Sequence, residues 1–203
     1  MPPAPAFRWW AGRFAAIQRR APAITAMPRA RRKCDNSRFP VQSVLMSELI
    51  TTRRSTIHGN GMFAVAPIKK GTRLIQYKGQ LRAHREVDRV YADETDTGHT
   101  FLFTLNDTYV IDANVHGNDA RWINHSCNPN CEAVHEEDED GDPARDGIYI
   151  EAIRAIRPGE ELTYNYGIKL AEAHTPAMKK LWACHCGASS CTGTMLQPKR
   201  KSA

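Results

Sequence analysis

Three cysteines crowd into eight residues near one end of the chain, in Cys184-His185-Cys186-Gly187-Ala188-Ser189-Ser190-Cys191. Zinc takes four ligands, and thiolates suit it. Cys184, Cys186 and Cys191 would supply three from one Gly-containing turn, so a fourth must come from elsewhere. His185 lies between two better ligands and is expected to face solvent. With only six cysteines in the chain, this crowding reads as metal ligation in an intracellular, reducing compartment. A second concentration of chemistry is Gly159-Glu160-Glu161-Leu162-Thr163-Tyr164-Asn165-Tyr166-Gly167, with two tyrosines one residue apart. A third is Arg121-Trp122-Ile123-Asn124-His125-Ser126-Cys127-Asn128-Pro129-Asn130.

The elements that position these residues are short. From Leu49 onward, β-type runs alternate with turns: Met62–Ala66, Arg73–Tyr77, Phe101–Leu105, Tyr109–Asp112, Gly147–Ala152 and Glu161–Tyr164. Gly59-Asn60-Gly61, Lys70-Gly71, Lys78-Gly79, Asn106-Asp107, Gly117-Asn118 and Pro158-Gly159 punctuate them. Many short strands at close spacing predict a mostly β fold of small curved sheets, not a parallel α/β sheet. Two helical stretches are expected, Ala83–Ala92 and Lys169–Trp182. Glu136–Asp142 holds six acids in seven positions. It reads as a solvated hairpin loop, with attraction for a basic substrate as the minor reading.

Composition excludes several classes. The 203 residues are 41% hydrophobic and 25% charged, ordinary for a soluble globular chain. No run approaches the ~18 apolar residues of a membrane span. Nine of the 28 Lys and Arg but only one of the 22 acids fall in residues 1–46. That leaves 19 basic against 21 acidic residues, so the part beyond the arm is nearly neutral. Nucleic-acid contact is therefore expected at most through the N-terminal arm. The Pro-, Ala- and Arg-rich arm reads as disordered, as an organellar transit peptide, or as sequence upstream of a true start at Met46.

The motifs stand in a recognisable order. Upstream of the segments above lie His58-Gly59-Asn60-Gly61-Met62-Phe63-Ala64, Ile75-Gln76-Tyr77-Lys78-Gly79, and Ile111-Asp112-Ala113 followed by Gly117-Asn118. Over roughly residues 50–195 the set resembles the SET domain of protein-lysine methyltransferases, with its cysteine-bearing post-SET tail. In compactness the chain is similar to small bacterial SET proteins. The resemblance implies a SET domain over 47–168, a post-SET segment over 169–197, a basic arm over 1–46 and a basic tail over 198–203. It also implies a knot-like crossing of the Arg121–Asn130 and Gly159–Gly167 segments.

The same resemblance implies the cofactor and the roles. S-adenosylmethionine would donate a methyl group to a lysine amine by in-line displacement, and zinc would be held by Cys127, Cys184, Cys186 and Cys191. Cys131 is the competing fourth ligand; it and Cys34 otherwise read as free thiols. Tyr166 takes the main catalytic place, with Tyr164 and Tyr77 beside it. Gly59, Asn60, Gly61, Met62, Tyr77, Asn124, His125 and Tyr166 would bind the cofactor. Trp182, Met195 or Leu196 would pack on adenine, and Phe101–Phe103 would line the lysine channel. Tyr164 stands where the family carries Phe or Tyr, so mono- or dimethylation is expected over trimethylation. Asn165 and Trp122 stand where an acid and a Phe are commoner, and Arg121 is expected as a structural partner of its motif.

Chemically the assignment is sensible. A free lysine has a pKa near ~10.4, so a narrow apolar channel helps deliver the neutral amine. Orientation alone can supply roughly 7–11 kcal/mol. The substrate would be a basic protein or peptide presenting a lysine, such as a histone tail, which would place the enzyme in the nucleus or on the chromosome rather than the cytoplasm. A catalytically silent SET module that binds peptide or scaffolds a complex is the alternative.

Overall fold

Frequent turns cut the chain into strands of two to six residues, too short for one large sheet. The computed structural model describes residues 49–92, 100–170 and 174–198, in which ten strands form three small sheets. The basic arm, Cys34 and the basic tail from residue 199 lie outside the described residues.

In the first sheet, β1 (Ile50–Arg54) pairs antiparallel with β2 (Asn60–Ala64). On its other edge β2 pairs with β10 (Glu161–Tyr164), and β10 pairs in parallel with the two-residue β7 (Asn124–His125). In the second, β9 (Gly147–Ala152) lies between β3 (Arg73–Gln76) and β8 (Cys131–Glu136). In the third, β6 (Tyr109–Asp112) lies between β4 (Gln80–Ala83) and β5 (Leu102–Thr104). Alternation explains the middle strands. Ile148, Ile150 and Ala152 of β9 point inward while Tyr149 and Glu151 reach the surface. Residues 137–146 form the hairpin loop between β8 and β9, where Arg145 pairs with Asp138, Asp140 and Asp142.

Helix α1 (His84–Val90) begins one residue later than expected, because Gln80–Ala83 is taken up by β4. Of the expected helix over 169–182, the described residues form α2 (Pro176–Leu181), and residues 171–173 lie outside the described residues. Ile168 and Leu170 are buried ahead of it, and Thr175 Oγ1 caps the helix by accepting from the Met178 amide at 3.2 Å.

Two apolar cores result. The larger joins all three sheets through residues such as Met62, Leu74, Ile111, Ile150 and Leu162. The smaller comprises Ile168, Leu170, Met178, Trp182 and Leu196, and Tyr166 packs against both. A buried acid, Asp112, holds α1 to the third sheet. Arg82 Nε and the Tyr91 hydroxyl donate to Oδ2 at 2.9 and 2.7 Å, and Asn114 donates twice to Oδ1. Burial alone would raise its pKa, but these bonds hold it below the ordinary carboxylate range.

Among the described residues no helix is long and apolar enough to cross a membrane.

Candidate active site and metal centre

The site is assembled where β10 meets β7. Thr163 pairs with Asn124 and Tyr164 with His125, so the two signature segments lie side by side. The Ser126 amide donates to the Tyr164 carbonyl at 3.1 Å. Asn130 reaches across, accepting from the Thr163 amide at 2.9 Å and donating to the Glu161 carbonyl at 2.8 Å.

Glu161 fastens the glycine turn to this crossing. Ser55 Oγ donates to it at 2.8 Å, and Asn124 Nδ2 lies 2.8 Å from its Oε1. The same Asn124 amide lies 2.9 Å from the Asn60 carbonyl and 3.2 Å from that of His58. A Cβ at Gly61 would run into the Glu161 carboxylate, so only glycine lets the turn come this close. Gly59 has φ +48° and would have nothing within 4 Å of a Cβ. The turn is thus clamped on one side and open on the other. Met62 lies in the core at 1% exposure. Neither Glu161, Ser55 nor Asn130 was singled out from sequence; an acid and two small polar residues carry no signal until strands 106 residues apart are brought together.

Beside the crossing lies a cleft walled by aromatic rings. Tyr77, Phe103, Tyr164 and Tyr166 line it together with Thr100, Leu102, Thr104, Arg121 and Ile168. The rings of Tyr164 and Tyr166 are 4.8 Å apart, Tyr77 and Phe103 5.2 Å, and Phe103 and Tyr164 6.1 Å. The Tyr166 hydroxyl donates to the Ile123 carbonyl at 2.9 Å, and that of Tyr77 to the Phe101 carbonyl at 3.0 Å. Burial pushes all three phenols up, so they stay neutral. Phe101 lies behind this wall, edge-on to Trp122 at 5.2 Å.

Arg121 stacks over Trp122, and its Nη1 donates to the Ala113 carbonyl at 3.1 Å. It is a structural partner, as expected, but it also brings a cation to the cleft. Thr104 Oγ1 and Arg121 Nε are buried without a protein partner. Asn165 points outward, accepting from the Gly167 amide at 2.9 Å.

The cysteine cluster adjoins the crossing. The Sγ atoms of Cys127, Cys184, Cys186 and Cys191 all lie within 4.8 Å of one another. Cys127 is 3.8 Å from Cys184 and 3.9 Å from Cys191, matching the edge of a tetrahedron with ligands ~2.3 Å from a central zinc. These gaps exclude disulfides, whose S–S bond is about 2.05 Å. Cys131 is buried in β8, outside the cluster, and burial pushes its thiol up to about 12. His185 is exposed. Trp182 and Leu196 are buried in the smaller core with Met195 against them, and the indole Nε1 has no protein partner.

Residues 59–167 match the SET domain family, and with the two signature segments joined in space the chain belongs to that family. Over 148 residues, 71% of its length, it is 38% identical to human histone-lysine N-methyltransferase 2B. Over 149 residues, again 71%, it is 37% identical to an H3 lysine-4 specific histone-lysine N-methyltransferase of Candida albicans. The trithorax histone-lysine N-methyltransferase of Drosophila virilis is 37% identical over 146 residues. The chain spans 5%, 13% and 3% of these relatives' own lengths.

Proposed function

We propose that the chain is a protein-lysine N-methyltransferase that takes its methyl group from S-adenosylmethionine and carries zinc on Cys127, Cys184, Cys186 and Cys191. The observation that carries the reading is the position of Tyr166. Its hydroxyl is held in the aromatic cleft, and its backbone amide donates to His125 at the crossing. Histone-lysine methyltransferases among its relatives support a lysine side chain on a histone or another basic peptide as substrate. On that reading the enzyme works inside the cell, at chromatin where the substrate is a histone.

The residues fit both groups. Four sulfur donors at tetrahedral spacing suit zinc. A turn with open space before Gly59 and its carbonyls clamped by Asn124 suits a small polar ligand that needs close backbone approach. Gly59, Asn60, Gly61, Met62, Asn124 and His125 would hold the donor, with Tyr77 and Tyr166 flanking its reactive end. S-adenosylmethionine supplies a carbon already activated for transfer, so the protein has mainly to orient and to exclude water.

A lysine side chain entering the cleft lies among rings, and its amine must shed a proton before its lone pair can attack. Two features favour the neutral amine. The rings of Tyr77, Phe103, Tyr164 and Tyr166 wall the cleft and limit its hydration, and Arg121 places a like charge nearby. Buried neutral phenols then orient the amine by hydrogen bonding without competing for its proton. Residues 47–168 would form the catalytic domain, and 169–197 the metal-bearing segment that closes over it. The arm 1–46 and tail 198–203 are assigned no role.

Tyr164 sets how many methyl groups fit. Its hydroxyl, in the same wall as Tyr166, would hold a water in the space an added methyl needs. Tyr164→Phe should therefore turn a mono- or dimethyl product into di- or trimethyl, read by mass spectrometry of a methylated basic peptide. An unchanged product distribution would remove Tyr164 from the role.

A further inference from the structure

We propose that His125 is a positioning residue that ties the metal cluster to the catalytic segment through the two nitrogens of one ring, Nε2–H donating to the Cys127 thiolate while Nδ1 accepts the Tyr166 amide proton. The inference rests on the metal reading above and assigns the side chain a task other than cofactor contact.

The geometry is direct. The Tyr166 amide donates to His125 Nδ1 at 3.1 Å. A ring that accepts at Nδ1 must carry its proton on Nε2, and that atom lies 3.6 Å from Cys127 Sγ, within range of an N–H···S bond. His125 is 5% exposed, so water does not compete at either end. Its ring also meets that of Tyr166 edge-on at 5.4 Å.

A backbone amide serves Cys191, whose sulfur accepts from the Gly193 amide at 3.4 Å. Thr192 Oγ1 lies 3.7 Å from Cys127 Sγ but spends its proton on the Thr194 carbonyl at 2.9 Å. That leaves the imidazole as the donor for Cys127. N–H donors to metal-bound thiolates spread charge that four sulfurs would otherwise concentrate, and such outer partners are worth about 10–100-fold in metal affinity. Occupancy of the cluster is thereby transmitted over one ring to the backbone of Tyr166.

Two isosteres separate the two bonds. In His125→Asn the amide oxygen can stand where Nδ1 stood, but nothing reaches Cys127. In His125→Gln the longer side chain can reach Cys127, but the acceptor for Tyr166 is gone. Cobalt(II) serves as the metal probe, read at its thiolate charge-transfer band and by its rate of loss to a chelator. Amide hydrogen exchange reads the Tyr166 end. We expect H125N to shift the cobalt band and speed metal loss about 10–100-fold while Tyr166 stays protected. H125Q should keep band and retention but raise Tyr166 exchange about tenfold or more, and lower kcat more than it changes KM. Both readouts moving together in both variants, or neither moving, overturns the proposal. If one variant fails to fold, the other still decides, since each must move one readout and spare the other. A wild-type chain that forms no cobalt–thiolate band instead overturns the metal reading, and this inference with it.

Discussion

Tyr166→Phe should lower kcat by about 10²–10³, the loss that follows removal of one oriented dipole from a water-excluded site. The hydroxyl is fixed by the Ile123 carbonyl at 2.9 Å, so it needs no reorganisation as the reaction proceeds. Burial keeps it neutral, which rules it out as a base at ordinary pH and leaves orientation and electrostatics as its contribution. The fold should survive. The variant leaves one buried carbonyl without its partner, worth about 1–3 kcal/mol. In a chain of this size each kcal/mol is about 2–4 °C in Tm. Rate constants from single-turnover methyl transfer, measured beside a melting curve, check both halves. A kcat within a few-fold of wild type would take the catalytic role from Tyr166.

Removing the metal should disorder the C-terminal segment while leaving the three sheets folded. The segment has little apolar support of its own. Beyond α2 its backbone bonds are few, among them Cys184 to Gly193, Cys191 to Ala188 and Met195 to Trp182. Among the described residues beyond the cysteines, Leu196 alone is buried in the smaller core, with Met195 packed against it. Metal binding in small segments of this kind supplies about 10–16 kcal/mol of folding energy, far more than one buried leucine at roughly 1.5–3 kcal/mol. Chelation, or Cys184→Ser, should expose residues 183–197 to proteolysis and weaken donor binding at least tenfold. The larger core should still melt cooperatively. A tail that stays protected after complete metal loss, shown by limited proteolysis with metal analysis, would mean that the smaller core alone suffices.

Much of this arrangement could be read before any fold was known, for physical reasons that differ by residue. Tyr77, Tyr164 and Tyr166 stood out through the resemblance of the motifs that carry them, and the expected strands Tyr109–Asp112, Gly147–Ala152 and Glu161–Tyr164 kept their bounds because turns bracket them. The cysteines stood out because thiolates at such spacing have few other uses. What stayed hidden depends on long-range pairing. β1 has one buried residue, Ile50, and no alternation to betray it. β7 is two residues long and exists only because β10 lies beside it. Glu161 opens an expected strand, and nothing in that run announces its bonds to Ser55 and Asn124. The start of the second helix was legible in principle: Thr175-Pro176 is a cap followed by a first-turn proline.

Transfer of label from methyl-labelled S-adenosylmethionine to a histone or basic peptide mixture, followed by mass spectrometry of the labelled chains, tests the proposed activity most directly. The label should appear on lysine side chains as mono- or dimethyl, and its rate of incorporation should fall about 10²–10³-fold with Tyr166→Phe. A folded, metal-loaded protein that binds the donor yet leaves every lysine unlabelled would contradict the enzyme and point to a silent peptide-binding module.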